Sequence, residues 1–496
     1  MKKIHSYALF SLLVLSTFVV AAPSSHADDC QPLLKLKYPD VAIYEATSIA
    51  EPVPHCKAKG LIGGNINFSV WLPTAWNGRF VMGGAGGFVR PEDNQALRLI
   101  GPSVLAAGYA TASTDTGHQS DGLSNEWGLN DYESIVNYAY LALHRAVVSS
   151  KALISDHYGR PADKSFFFGC SNGGRQALHE AQRYPSDFDG IVAGAPALNF
   201  SGVTAAFLAI TQKMYPDPYN LETALVTPTD RQFLRAKLLA ACDDLDGLSD
   251  GILHDPRACE FEPTELTCTQ GQEDKCLSVE KVAAIKTVYD GPSNDQGALF
   301  FGFPYGAEDI EQNGWGSWLT GGAAQGLPNA AYAFGTGIMR NFVHHDADWT
   351  HDRTDWNAYP NTIRAVANLL DARSPDLSEF RAHGGKLLMY HGWADVALSA
   401  HMSTDYIEKV YATDTTARND ARLFMMPGVL HCTGGPGPSV VNWLAALESW
   451  HATGKAPDQL DASYPDKGGS RRICAWPLQA VYQGGDPESP ASFNCQ

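Results

Sequence analysis

The sequence predicts an α/β protein: a largely parallel sheet flanked by helices, with a long insertion between two parts of the sheet. Three observations carry this. The apolar run Ser165-Phe-Phe-Phe168 passes through a glycine-serine turn into Gln176–Arg183, which has helix-forming composition until Pro185 stops it. Further short apolar segments of strand length occur on either side of it, alternating with helical patterns, as in parallel sheets. The alternation stops after Pro196 and resumes at Gly385. The chain has 496 residues, more than one ordinary core accommodates, so a large domain with an insertion is expected.

Taken in order, the chain opens with Lys2 and Lys3, an apolar run from Ala8 to Ala22, and Ser25-His-Ala27, a small-x-small site. This reads as a signal peptide over residues 1–27, too short for a bilayer span, and the mature protein is expected to be secreted or periplasmic. Ten cysteines remain, an even number in an exported chain, which predicts five disulfides. Order alone does not fix their connectivity, although some spacings suggest local loops. The formal net charge of −18 argues against nucleic acid and anionic membranes as partners.

Residues 28–60 read as irregular. Ile66, Phe68, Val70 and Leu72 alternate with polar residues, a half-buried strand. Arg79–Met82 is a second strand, followed at once by Gly83-Gly-Ala-Gly-Gly-Phe88. No G-K-[ST] or G-x-G-x-x-G helix start follows, so a phosphate cradle is disfavoured. The loop is expected to form half of an oxyanion hole. Gly108–Ser113 is a third strand, and Asp115 and His118 after it read as polar groups satisfying a tight turn. Residues 133–158 form a helix, and Gly190–Pro196 another parallel-type strand. The strand, turn and helix around Gly169-Cys-Ser-Asn-Gly173 form the context a nucleophile elbow requires. Glycines leave room for the strained turn and put the Ser171 hydroxyl at its tip.

A serine hydroxyl needs a base, and the base an orienting partner. Asp395 follows the strand-like Gly385–Tyr390, and His431 follows Arg422–Met426. The order Ser, Asp, His is that of α/β-hydrolases. Ser171, Asp395 and His431 are therefore the expected catalytic residues, with the amides of Gly87 and Asn172 as the oxyanion hole. Cys170 precedes the serine and Cys432 follows the histidine, so a bond between them would hold both groups in register. The expected division is residues 28–198 and 373–496 for the hydrolase and 199–372 for an inserted lid. The lid carries a helix at 229–241 and the aromatics Trp315, Trp318, Tyr332, Phe334, Phe342, Trp349, Trp356 and Tyr359, at least one of which is expected to stack on substrate. A helix at 439–453 and a cysteine-bearing tail close the chain.

Cys242-Asp-Asp-Leu-Asp-Gly-Leu-Ser-Asp-Gly-Ile252 places four carboxylates in eight residues. They repel one another without a cation. Asp243, Asp246 and Asp250, with the carbonyls of Leu248 and Ile252, are expected to hold a structural Ca2+. The glutamate at position twelve of an EF-hand is missing, and a solvated acidic turn is the plainer alternative.

Gly169-Cys-Ser-Asn-Gly-Gly-Arg175, His391-Gly-Trp-Ala-Asp395, His431-Cys432 and the acidic loop together resemble the tannase/feruloyl esterase family of α/β-hydrolases, over nearly the whole mature chain. The resemblance implies a calcium-bearing lid, the triad above, and the pairs Cys30–Cys56, Cys170–Cys432, Cys242–Cys259, Cys268–Cys276 and Cys474–Cys495. It implies a small aromatic ester as substrate: hydroxycinnamoyl first, galloyl second, mono(2-hydroxyethyl) terephthalate third. The terephthalate branch uses a lid arginine after a tryptophan that Trp318 matches. Here residues 287–339 hold no Lys or Arg, and Arg340 is the first candidate. A catalytically inactive binding protein and a hydrolase whose metal performs the chemistry are the competing readings.

Overall fold

The computed structural model describes residues 30–89, 94–269, 276–321 and 327–496. The signal-peptide reading falls on residues 1–27 and lies outside them. Nine strands form one sheet: β1 (Val41–Ile49), β2 (His55–Ile62), β3 (Ile66–Pro73), β4 (Arg79–Gly83), β5 (Ala110–Thr114), β6 (Lys164–Cys170), β7 (Gly190–Gly194), β8 (Lys386–Gly392) and β9 (Ala421–Met426), in the order β1-β2-β3-β5-β4-β6-β7-β8-β9. β1, β2, β3 and β5 pair antiparallel. From β5 to β9 every pairing is parallel, with β6 and β7 at the centre. Central strands buried on both faces need continuous apolar sequence, which Phe166-Phe-Phe168 and Leu387-Leu-Met-Tyr390 supply.

The segment expected to be irregular contains β1 and β2. Their signal is weak for a physical reason. β1 is an edge strand, largely exposed, and the buried positions of β2 are small residues such as Cys56, Ala58 and Gly60 between exposed-side lysines. The last long helix begins at Trp443, capped by Asn442. Val440 instead bridges to Ser463 as extended chain.

β7 and β8 are neighbours in space, yet the chain between Gly194 and Lys386 adds no strand to the main sheet among the described residues. It folds into helices that include Phe200–Met214, Pro228–Cys242, Val279–Asp290 and Ala330–Ile338. Thr227 and Asp230 form a reciprocal capping box that starts the second of these. The insertion has no separate core. One buried cluster runs from Val70 and Phe167 on the sheet through Phe200 and Phe207 to Trp315 and Trp349. Trp315, Tyr332, Phe342, Trp349 and Tyr359 are buried within that packing. The other sheet face is covered by a second cluster built around Phe166, Tyr390, Phe424 and Trp443.

All five implied disulfides are present. Cys170–Cys432 joins the ends of β6 and the loop after β9 across 262 residues. In the chain-entropy account, closing so long a loop restrains the unfolded chain by about 5 kcal/mol. Cys170→Ala with Cys432→Ala is therefore expected to lower the denaturant midpoint strongly, and also kcat, because the bond ties the Ser171 turn to the His431 loop. An unchanged midpoint would show that packing alone holds the two loops together.

Candidate active site

Ser171 is the residue between β6 and the helix Asn172–Arg183, with φ 65° and ψ −127°. That left-handed conformation is costly for a residue with a Cβ and is held by its surroundings. Its N–H donates to Gly194 O (3.0 Å), and its carbonyl accepts from Arg175 N (3.0 Å) and Ala197 N (3.1 Å). The flanking glycines are sterically required. A Cβ on Gly169 would lie 2.1 Å from Gly173 O, and one on Gly173 2.9 Å from Gly84.

The helix behind the serine fastens the glycine-rich loop in front of it. Asn172 Nδ2 donates to Ala85 O (2.9 Å), and Arg175 Nε donates to Asn172 Oδ1 (2.8 Å). Gln176 Oε1 accepts from Ala85 N (3.1 Å). Arg175 is fully buried, and no carboxylate among the described residues lies within ion-pair distance of it. Its charge is spread over main-chain carbonyls: Nη1 donates to Ala139 O (2.7 Å) and Nη2 to Tyr138 O (3.0 Å). Both carbonyls belong to a π turn, Asn137–Leu141, inside the long helix that ends at Tyr158. Such turns widen a helix locally and commonly occur at functional sites. The loop is held from its other side as well. Tyr138 OH donates to Gly87 O (3.1 Å), and His118 Nε2 to Phe88 O (2.7 Å). Burial pushes His118 down to about 4, so it is a neutral donor stacked on Trp127 at 3.7 Å. Gly87 has φ +58°, and a Cβ there would meet Gly122 O at 2.4 Å.

His431 and Asp395 meet at the same sheet edge. His431 Nδ1 donates to Asp395 Oδ2 (2.8 Å), while Asp395 Oδ1 accepts from Ala397 N (2.8 Å) and Leu398 N (2.9 Å). Asp395 is fully buried. Burial alone would raise its pKa, but the charge of His431 and hydrogen bonds from His391 and His431 outweigh that and hold it well below the usual carboxylate range. His391 sits at the end of β8 against this carboxylate. Its Nε2 donates to Leu398 O (3.0 Å) and lies 3.2 Å from Asp395 Oδ2, with Ser403 Oγ 2.8 Å from Nδ1. Asp115 does what its turn position suggests, accepting from Asn67 N (3.0 Å) and Gly117 N (2.8 Å).

Ser171, His431 and Gly87 line one cleft of about 810 Å³. A smaller apolar cavity of about 40 Å³ lies beside Ser171 and shares Gly87, Trp318 and Phe334 with the cleft; Phe200, Val203, Phe207 and Leu398 complete its walls. Trp318 stands edge-on to His431 at 5.5 Å and parallel to Phe334 at 5.9 Å. Its Nε1 donates to Asn313 Oδ1 (3.1 Å), and Asn313 Nδ2 donates to His431 O (3.0 Å). The insertion thus holds the histidine loop. Phe200, Phe207 and Asn313 were not singled out in the sequence. The first two lie in an all-round apolar helix whose cavity-facing side carries no separate signal. Arg340 lines neither cavity: its Nε donates to Trp349 O (2.6 Å) and its Nη2 to Tyr332 OH (3.4 Å).

The sequence matches the family described as tannase and feruloyl esterase over residues 50–496. The chain belongs to that family. A probable feruloyl esterase from Arthroderma benhamiae is 34% identical over 456 residues, covering 86% of this chain and 82% of that one. The mono(2-hydroxyethyl) terephthalate hydrolase of Piscinibacter sakaiensis is 32% identical over 523 residues, covering 91% and 86%. The crystal structure of feruloyl esterase B from Aspergillus oryzae superposes with a TM-score of 0.81 at 26% identity, over 94% of this chain and all of that one. The tannin acyl hydrolase of Aspergillus niger shares the fold, with a TM-score of 0.72 at 22% identity. The protein is accordingly a carboxylic ester hydrolase with an α/β-hydrolase fold.

In the acidic loop, each of three carboxylates caps the chain ahead of it: Asp243 Oδ1 accepts from Gly251 N (2.8 Å), Asp246 Oδ1 from Leu248 N (3.0 Å) and Asp250 Oδ1 from Ile252 N (3.0 Å). Partial burial and the charge of Asp250 raise the pKa of both Asp243 and Asp246. Arg471 of the C-terminal region also reaches Asp250 Oδ2. Hard oxygen donors that repel one another are the chemistry a calcium site uses, and in that respect the loop fits the ion.

Proposed function

We propose that Ser171 is the nucleophile, His431 the general base and acid, and Asp395 the group that holds the imidazole's tautomer. The substrates proposed are hydroxycinnamoyl esters. Ser171 Oγ attacks the acyl carbon as its proton passes to His431 Nε2. The oxyanion is received by amides of Gly87 and Asn172, whose backbones are fixed by the contacts of Tyr138, His118 and Arg175. His431 protonates the departing alcohol, and water then releases the acid from the acyl-enzyme.

The observation that carries the choice of acid is the apolar wall that Phe200, Val203, Phe207, Trp318, Phe334 and Leu398 present beside Ser171, with no charged side chain among the residues lining the small cavity there. A free terephthalate carboxylate would lose its hydration there without a counter-charge. The hydroxyls at hand are already engaged: Thr204 Oγ1 donates to Phe200 O (2.9 Å) and Tyr138 OH to Gly87 O. Three galloyl hydroxyls would find few partners, whereas a hydroxycinnamoyl ring presents mostly apolar surface. Parallel assays of methyl ferulate, methyl gallate and mono(2-hydroxyethyl) terephthalate are expected to rank in that order. Faster turnover of the terephthalate ester would overturn the assignment.

Five disulfides suit an oxidising compartment, and no helix among the described residues is long and apolar enough to cross a membrane. Both support an exported protein. Asp243, Asp246 and Asp250, with the Leu248 and Ile252 carbonyls, would hold Ca2+, which would neutralise the loop and pin it beside Cys242–Cys259. Chelation is expected to lower the melting temperature by several degrees while activity at low temperature persists. Immediate loss of activity, without unfolding, would point to a metal that acts in the chemistry.

A further inference from the structure

A second cluster of chemistry-bearing side chains lies toward the opposite end of the strands from Ser171. His144 is on the helix Ala142–Tyr158, Glu180 on the helix Asn172–Arg183, and Asp187 in the turn that leads to β7. One ligating atom from each, an imidazole nitrogen and two carboxylate oxygens, lie within 4.8 Å of one another. Glu180 is nine residues after Ser171, about 13 Å along the helix at 1.5 Å per residue.

Each group is placed by its own element. Pro185 stops the helix, and Asp187 N donates to Tyr184 O (2.9 Å), which fixes the turn. The His144 ring stacks on Tyr184 at 3.8 Å with 5° between the planes, and its Nδ1 lies 2.6 Å from Asp187 Oδ2. Glu180 is the observation that points to a ligand. It is 1% exposed, and among the described residues no donor reaches its Oε2. A buried carboxylate oxygen without a partner is costly, and Asp187 beside it adds a like charge. Lys151 Nζ donates to the Asp187 main-chain carbonyl and forms no ion pair with either carboxylate among the described residues. The His144 side chain is 29% exposed, so an ion can enter from solvent past the ring.

We propose that His144, Glu180 and Asp187 form a site for a transition-series divalent cation, with Zn2+ the best fit. The donor set decides the ion: an imidazole with two carboxylates suits Zn2+, whereas Ca2+ and Mg2+ favour oxygen alone. Two bonds of about 2 Å on either side of one ion span about 4 Å, so a small closure of the three side chains completes the site. Coordination through His144 Nδ1 puts the imidazole proton on Nε2. The ion would join two helices and the turn before β7. One of those helices carries Asn172 and Gln176, which hold the glycine-rich loop, so the role is structural support behind the serine turn.

The test uses the full chain, stripped with a chelator and returned to excess Ca2+ so that the acidic loop is satisfied. Zn2+ is then added to wild type, His144→Ala and Glu180→Gln, and bound metal and melting temperature are measured. Wild type is expected to take up one Zn2+ per chain and to melt about 2 °C or more higher at saturation. His144→Ala, a change at a partly exposed position, should fold and lose that shift. Glu180→Gln should fold as well as wild type without Zn2+, since its amide can donate to Asp187, and should lose the shift too. Equal Zn2+ shifts in all three proteins would place the ion elsewhere and overturn the site. Failure of wild type to take up Zn2+ would also overturn it, and would leave a proton shared by the two carboxyl groups as the occupant.

Discussion

Ser171→Ala is expected to lower kcat on methyl ferulate by about 10⁵–10⁶-fold, the loss seen when the nucleophile of a serine triad is removed. The residue is replaced at φ 65°, where alanine and serine meet the same steric cost, and the Ser171 backbone contacts to Gly194, Arg175 and Ala197 do not involve the side chain. The variant should therefore melt close to the wild-type temperature and still bind substrate. Melting curves together with single-turnover assays check both halves. Retention of more than about one per cent of activity in a folded variant would remove Ser171 from the role of nucleophile.

Asp395→Asn is expected to cost about 10⁴-fold in kcat. The carboxylate Oδ1 accepts two backbone N–H groups, so an asparagine would keep its oxygen there. Its NH2 would then face His431 Nδ1–H and His391 Nε2–H, donor against donors. The His431 imidazole would have to turn over or change tautomer, and either change removes the base from Ser171. The aspartate also bears on acid stability. Its folded-state pKa lies below that of an unfolded aspartate, near 3.9. Its stabilising contribution is therefore complete above about pH 5 and declines as pH falls through the acid range. Wild type should lose more stability than Asp395→Asn as pH is lowered from about 5 toward 3, measured by denaturant midpoint. Parallel pH curves for the two would show that this carboxylate is not the group responsible.

The site was legible in sequence wherever one residue type was demanded by local geometry. Gly169 and Gly173 have no room for a Cβ, Ser171 stands between them, and the doublets Cys170-Ser171 and His431-Cys432 mark two loops that one disulfide joins. The strands β6, β8 and β9 were legible because central strands are continuously apolar. The edge strands β1 and β2 were not, because exposure and small side chains leave little pattern. His391 illustrates a different limit. Nothing in His391-Gly-Trp-Ala-Asp395 distinguishes a turn residue from a second donor beside the Asp395 carboxylate, since that depends on where Leu398 and Ser403 fall in space.

What the sequence determined by itself is the reaction class, an ester hydrolase, read from Ser171, Asp395 and His431 in α/β-hydrolase order, with glycines that only a tight elbow and a close loop require. What the tertiary structure decided is the shape of the pocket. Trp318 and Phe334 come from one part of the insertion and Phe200 and Phe207 from another, a helix buried nearly all round, and all four wall the smaller cavity. Their common cavity follows from how the insertion shares the core of the sheet, because a pocket is made by faces that meet only after distant segments have packed.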